Sequence, residues 1–376
     1  MAKRLIALGA LLSGVGCGSP DTGVEGRAGS GGEARQSRNS GGSSTGGVGT
    51  GGSAAVPGTG GSAAASSSGG SASGGPKTPS GPIEASSGQV IENLRVENPL
   101  GRCITVPPGV TDVVIRDNEI GPCGADDGNV DTDGVRILEG ARNVRIEHNV
   151  IHDVSSAITA YRSEHPIIVD HNFVYDIRGP FYRGQMIQME EVSGGTSGSK
   201  ITCNVADGTH GDLWRPEDVI NLYSSPGLDA GENRTEIAFN RIRGASTISQ
   251  NGSGIVLGDG SGGGNVWVHH NTIVDVVNLG IGIAGGVDIT LEKNRIYMTG
   301  PKSALGMSVR NYSGHECSGH AVLDNRVFTL DYMYQGGVPM HFEDSGACGA
   351  LVQSGNVWGD TSLSTAIFDD VPFECQ

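Results

Sequence analysis

Basic side chains are scarce in this chain. Its 376 residues include 25 Lys and Arg against 41 Asp and Glu, a formal net charge of −16. Residues 1–80 contain six of the basic and three of the acidic side chains. That leaves 19 (25 − 6) against 38 (41 − 3) beyond them, a net of −19. Such a balance excludes nucleic acid and anionic membrane surfaces as partners, because both are bound through Lys/Arg patches. A polyanionic substrate would need a local basic patch or a bound calcium ion held by Asp/Glu oxygens to offset the repulsion. Long apolar runs are also missing, since no stretch is long enough to span a membrane. The glycine-rich GDGSGGG (258–264) follows a strand-like segment and lacks the Lys-Ser/Thr and helix of a phosphate loop.

Little in residues 18–82 can be buried. Gly, Ser, Ala and Thr dominate, as in GGSSTGGVGTGGSAA, which predicts a flexible tether. Ahead of it, residues 1–17 read as a secretory signal: Lys3 and Arg4, a short apolar stretch, then small residues before Cys17. Cys17 after Gly16 resembles a bacterial lipoprotein cleavage site, with Gly14 where that pattern prefers Leu. The expectation is an exported protein, secreted or held at an outer membrane surface through a lipid on Cys17, and otherwise a monomer with no membrane contact. The folded part is expected to occupy 83–376.

What the folded part does have is an asparagine that returns in one setting. It occurs in VVIRDNEI (Asn118), VRIEHNVI (Asn149), IIVDHNFV (Asn172), ITCNV (Asn204), EIAFNRI (Asn240), VWVHHNTI (Asn271), ITLEKNRI (Asn294), AVLDNRV (Asn325) and QSGNVW (Asn356). Consecutive positions differ by 31, 23, 32, 36, 31, 23, 31 and 31 residues. A fixed period with alternating apolar flanks signals a solenoid in which each repeat buries its apolar face against its neighbours. Asn tolerates the left-handed backbone of a sharp turn. Its amides can also bond to one another when coils stack about 4.8 Å apart.

Each repeat holds a further strand: GVRILE, AITAYR, QMIQME, DVINLY, GIVLGD, GIGIAG, GMSVRN, PMHFED and TAIFDD (365–370). Three short strands per coil, an Asn turn and loops of unequal length resemble the right-handed parallel β-helix of the pectate-lyase-like superfamily. The resemblance implies an all-β solenoid of about ten coils with an Asn ladder between the second and third strands. It further implies that substrates lie along the outer face of the first strands.

The period also serves as a ruler for cysteines. Cys317 and Cys348 each lie eight residues before a ladder Asn, and Cys103 and Cys123 lie 20 residues apart, close to one coil. Two inter-coil disulfides are expected, Cys103–Cys123 and Cys317–Cys348. Cys203 has His171 and Phe239 in matching phase, so it is expected to be free, and Cys375 stays unassigned.

Alternation in the first strands sends Tyr161, Gln188, Glu190, Asn221, Tyr223 and Arg310 outward, with Asp259 at a strand end. The longest loops, 178–184 and 207–218, add Tyr182, Arg183, His210, Trp214, Arg215, Glu217 and Asp218. Aromatic faces suit sugar rings, and Arg and carboxylates suit hydroxyl and carboxylate groups. The predicted substrate is therefore a polysaccharide. Glycoside hydrolysis would draw its two carboxyl groups from Glu190, Glu217, Asp218 and Asp259. A lyase would use Arg183 or Arg215 as base or neutraliser, or His210 as base. Neither the Asp-Asp, Gly-His-Gly and Arg-x-Lys set of β-helix polygalacturonases nor the Arg-x-Pro-x-x-Arg of classical pectate lyases is found, so neither specific activity is implied. The alternative is a non-catalytic carbohydrate-binding or adhesion protein using the same stripe. Glu190, Glu217, Asp218 and Arg183 are expected to converge on one groove.

Overall fold

The computed structural model describes residues 76–124, 132–179, 184–244, 252–312 and 314–376. The signal, Cys17, most of the expected tether, Tyr182 and Arg183 lie outside the described residues. Among those described, no helix is long and apolar enough to cross a membrane.

Short apolar runs separated by turns stack into three parallel sheets whose strands follow one another in fixed rotation. This is a right-handed parallel β-helix, the hand that parallel crossover connections take. The sheet expected to carry substrate has ten strands and is called the first sheet below. The second sheet leads into each Asn turn and the third leaves it. Strand formation begins at Thr78–Ser80, which pairs with Leu94–Val96, inside the segment expected to be tether.

The interior is built from in-register columns. One first-sheet column reads Ile104, Val135, Ile158, Ile187, Ile220, Ile255, Ile281 and Met307. All are buried. Each such side chain contributes about 1.5–3 kcal/mol relative to exposure. β-Branched residues fit because they are stiff and pack well on a pleated surface.

The Asn ladder is continuous. Each amide from Asn118 to Asn325 donates to the Oδ1 of the next ladder Asn at 2.9–3.1 Å. Each of those backbone N–H groups donates to the same oxygen. The left-handed residue, however, is the one before each Asn: Asp117, His148, His171, Cys203, Phe239, His270, Lys293, Asp324 and Gly355 all have φ between 52° and 67°. The Asn is therefore selected by its buried amide and not by its own backbone angle.

After the Val357–Trp358 strand the chain leaves the stack. TAIFDD is a 3-10 turn, Thr365–Asp369, and not a strand, because Ser364 caps it by accepting from the Ala366 N–H. This segment returns along the outside of the third sheet, where Phe368 packs with Val205, Val274 and Ile367. It ends in a disulfide from Cys375 to Cys203, alongside the expected Cys103–Cys123 and Cys317–Cys348 bridges. The expectation of a free Cys203 is thus corrected. Its partner comes from a strap outside the coil register, which the ladder ruler does not measure, so the register itself is untouched.

Candidate functional site

The first sheet's outer face aligns Arg136, Thr159, Gln188, Asn221 and Val256 in one row. A second row, Tyr161, Glu190, Tyr223 and Asp259, lies further along the strands. Strict alternation would turn Asp259 inward after Leu257. Gly258 prevents this. The pairing passes from Leu222–Leu257 directly to Tyr223–Asp259, so Gly258 is an extra residue that bulges the strand. Its φ is +64°, and a Cβ there would meet the Gly285 carbonyl oxygen at 2.1 Å. Only glycine fits this bulge, which re-aims the carboxylate outward.

Asp218 starts the neighbouring strand, Asp218–Tyr223. Asn221 Nδ2 donates to Asp218 Oδ2 at 3.0 Å, and Gln188 Nε2 donates to Asn221 Oδ1 at 3.1 Å. Asp259 also faces the Asn221 side chain, whose polarity favours its charged form. Asp259 stands one coil on from Asp218's strand, opposite Tyr223, and its charge reaches Asp218. Among the described residues neither is in an ion pair. The contrast is Asp133, at the start of an earlier first-sheet strand, which lies 3.4 Å from Arg136 and 3.8 Å from Arg102.

This setting moves both acids. Asp218 is 9% exposed. Burial pushes its carboxyl up to about 6, with hydrogen bonds from Asn221 and Ser253 opposing and the charge of Asp259 adding to the rise. Burial also holds Asp259 above the ordinary carboxylate range, against bonds from the Gly260 N–H and Asn221. Ser253, Gln185 and Gly258 escaped the sequence reading. The phase match of Ser253 with Asp218 was the available signal for the first.

Other candidates sit elsewhere. Glu190 is buried between Tyr161 and Tyr223 in register, in the row that also holds Asp259 and two coils from it across Tyr223, and among the described residues it accepts no hydrogen bond from Asn221. It does not share the carboxyl pair. Glu217 turns to the strand entrance and accepts from Gln185 Nε2 at 3.1 Å. Tyr161 lies beneath the guanidinium groups of Arg136 and Arg162. Trp214 is 7% exposed and packs into the core, so it offers no sugar platform. His210 stands edge-on to Tyr175 and Phe173 on the third-sheet side, because it lies early in its loop. Arg215 is half-buried, with its backbone N–H donating to the Ile177 carbonyl. Arg310 is spent on an ion pair with Glu343, two coils beyond Asp259. The expected convergence is therefore replaced by Asp218 and Asp259 over Asn221, with Arg183 outside the described residues.

Among the described residues, two groups bring three ligand atoms close enough for one ion: His171–Cys203–Cys375 and Cys317–His320–Cys348. Their sulfurs are already in disulfides, and calcium takes oxygen ligands.

No protein-family model matches the chain, and no curated protein matches it. Among solved structures it is similar to the Dettilon tailspike protein gp208, with 15% identity, a TM-score of 0.43, and coverage of 75% of this chain and 60% of that one. It is also similar to the catalytic domain of a GH87 α-1,3-glucanase in complex with nigerose, with 14% identity, a TM-score of 0.31, and coverage of 74% and 64%. For a hyperthermoactive exopolygalacturonase from Thermotoga maritima the identity is 10%, the TM-score 0.27, and the coverage 75% and 83%. The chain thus spans less than two thirds of the tailspike and the glucanase domain.

Proposed function

We propose that this chain is a carbohydrate-active β-helix protein that hydrolyses a polysaccharide at the Asp218–Asp259 pair. The carrying observation is the Asn221 amide, which donates to Asp218 at 3.0 Å and faces Asp259, with both carboxyl groups displaced upward by burial. Glycoside hydrolysis needs two carboxyl groups in different protonation states flanking the bond. Asp218, titrating at about 6, is the acid that protonates the glycosidic oxygen as the bond breaks. Asp259, the more exposed of the two, is the carboxylate that activates water or attacks the anomeric carbon. Gln188 and Asn221 hold the pair in place, and Tyr223, half-buried beside them, offers a ring face to an adjoining sugar.

Lyase chemistry would place a base and a cation at the same site; of its candidates Arg183 is not among the described residues, His210 stands against Tyr175 and Phe173 on the third-sheet side, and Arg215 is half-buried. The proposal puts the chain outside the cytoplasm as a monomer, secreted or tethered through Cys17. Three disulfides support an oxidising compartment.

The test is a panel of neutral and uronate-containing polysaccharides, following reducing ends and the absorbance of unsaturated product together. Reducing ends alone mean hydrolysis. Both signals mean a lyase and overturn the reaction assigned here. Silence with retained binding means adhesion and overturns the enzyme reading.

A further inference from the structure

The strap that returns over the third sheet roofs a cavity of about 360 Å³, far round the coil from Asp218 and Asp259. Its floor is the outward face of three successive coils, Phe173, Val205 and Arg241 in register. Phe239 and the Cys203–Cys375 bridge form one side, and Val371 of the strap closes over it. Phe173, Val205, Phe239 and Val371 are apolar, Asn172 and Gln376 add polar groups, and no Asp or Glu side chain lines the cavity. His171, also at its edge, is paired with Asp170.

Arg241 is the anomaly. It is 8% exposed. One guanidinium nitrogen donates to the Phe368 carbonyl at 3.0 Å, and the group lies 5.6 Å from the Phe368 ring centre. Among the described residues it makes no ion pair. The other arginines on this face do: Arg243 with Asp207, Arg295 with Asp370 and Arg326 with Asp360. The most buried cation of the set is therefore the unpaired one. The charges of Asp369 and Asp207 reach it only from beyond ion-pair distance, and burying a cation with no contacting carboxylate is expensive, since arginine cannot escape by losing its proton. In a chain of net charge −16, acidic partners were available and were supplied to its neighbours. The rest of the Arg241 fork is left for an anion.

We infer that this cavity is a binding site for a small carboxylate carrying a flat apolar ring, with the carboxylate on Arg241 and the ring over Val205 between Phe173 and Phe239. A planar fork matches a carboxylate by paired hydrogen bonds. Two stacking steps, roughly 9.6 Å, separate Phe173 from Arg241, room for a ring and its carboxylate end to end. Apolar walls with one charged anchor are the usual makeup of a small-molecule pocket of this size. A sugar acid fits less well, because its ring hydroxyls would meet Phe173, Val205 and Val371.

The probe is benzoate, titrated into the full oxidised chain by calorimetry or ligand-observed NMR, beside benzyl alcohol and galacturonate. Benzoate is expected to bind, with benzyl alcohol and galacturonate each at least tenfold weaker. Arg241→Met should weaken benzoate at least tenfold, and Arg241→Lys, which keeps charge but not the fork, should also weaken it. Cys375→Ser, which frees the roof, should lower affinity with Arg241 intact, while Asp218→Asn should leave benzoate binding unchanged. Failure of benzoate to bind, equal binding of benzyl alcohol, tighter binding of galacturonate, or full affinity in folded Arg241→Met would each overturn the inference. None of these outcomes bears on polysaccharide cleavage.

Discussion

Asp218 accepts a 3.0 Å hydrogen bond from Asn221 and has no cation beside it, although it is almost fully buried. The chain keeps an acid where water can scarcely solvate its charge and where the charge of a second acid, Asp259, reaches it. That arrangement works against the folded state and has a pH signature.

The folded Asp218 carboxyl titrates at about 6, against an ordinary 3.8. Between those values the folded chain holds a proton that the unfolded chain has released. Stability contributed by this group therefore falls as pH rises from 3.8 to about 6, and the deficit is complete above it. A displacement of this size corresponds to about 3 kcal/mol at most. Asp218→Asn is expected to raise the unfolding temperature at pH 8 and to leave it nearly unchanged at pH 4. Equal shifts at both pH values would show that burial does not hold the acid up.

Gly258 and Gly262 both have left-handed backbones, with φ of 64° and 75°. A Cβ at Gly258 would collide with a neighbouring coil, while nothing lies within 4 Å of one at Gly262. Gly258→Ala is expected to cost well over the 1 kcal/mol or so of the backbone strain alone and to lower cleavage by displacing Asp259. Gly262→Ala should show only the strain. Denaturant melts and initial rates on the two variants decide it, and matching behaviour would remove the bulge from the account.

Loss of a mid-ladder amide should be severe. Asn240 bonds the Asn204 backbone and side chain and the Ile201 carbonyl on one side and Asn271 on the other. Asn240→Ala strands several buried polar groups at about 1–3 kcal/mol each. Asn356, at the last rung and half-buried, should tolerate Ala with a loss nearer 1 kcal/mol. Hydrogen exchange would localise both effects to adjoining coils, as expected for a nearest-neighbour stack. Indistinguishable losses at Asn240 and Asn356 would contradict this.

The Cys203–Cys375 bridge closes a span of 172 residues and the Cys103–Cys123 bridge one of 20. Loop-closure entropy alone gives about 5 kcal/mol for the first and about 3 for the second. Cys375→Ser should therefore destabilise more than Cys123→Ser in denaturant melts, and should open the strap to exchange around Phe368. A larger loss in Cys123→Ser would show that local packing, and not chain constraint, dominates.

Much of the fold was legible because a stacked coil repeats its chemistry at a fixed phase. The nine Asn positions gave the register, the register paired four cysteines, and strand alternation sent Gln188 and Asn221 outward. It was blind to whatever leaves the stack. Cys375 arrives on a strap, and Trp214 and His210 sit on a loop whose path the repeat does not encode, so one is core and the other faces the third sheet. The site was half legible for a related reason. Asp218 and Asp259 stood among the candidates, but their meeting depends on the Gly258 bulge and on the reach of the Asn221 amide, and neither is periodic.

The most direct test of the central claim is the rate of polysaccharide cleavage by Asp218→Asn and Asp259→Asn, measured on the substrate the wild type cleaves and across pH 4–9. The account predicts a loss of at least about a hundredfold in each variant with the fold intact, and a wild-type rate that declines above about pH 6 as Asp218 ionises. Cleavage at the wild-type rate in either variant would contradict it.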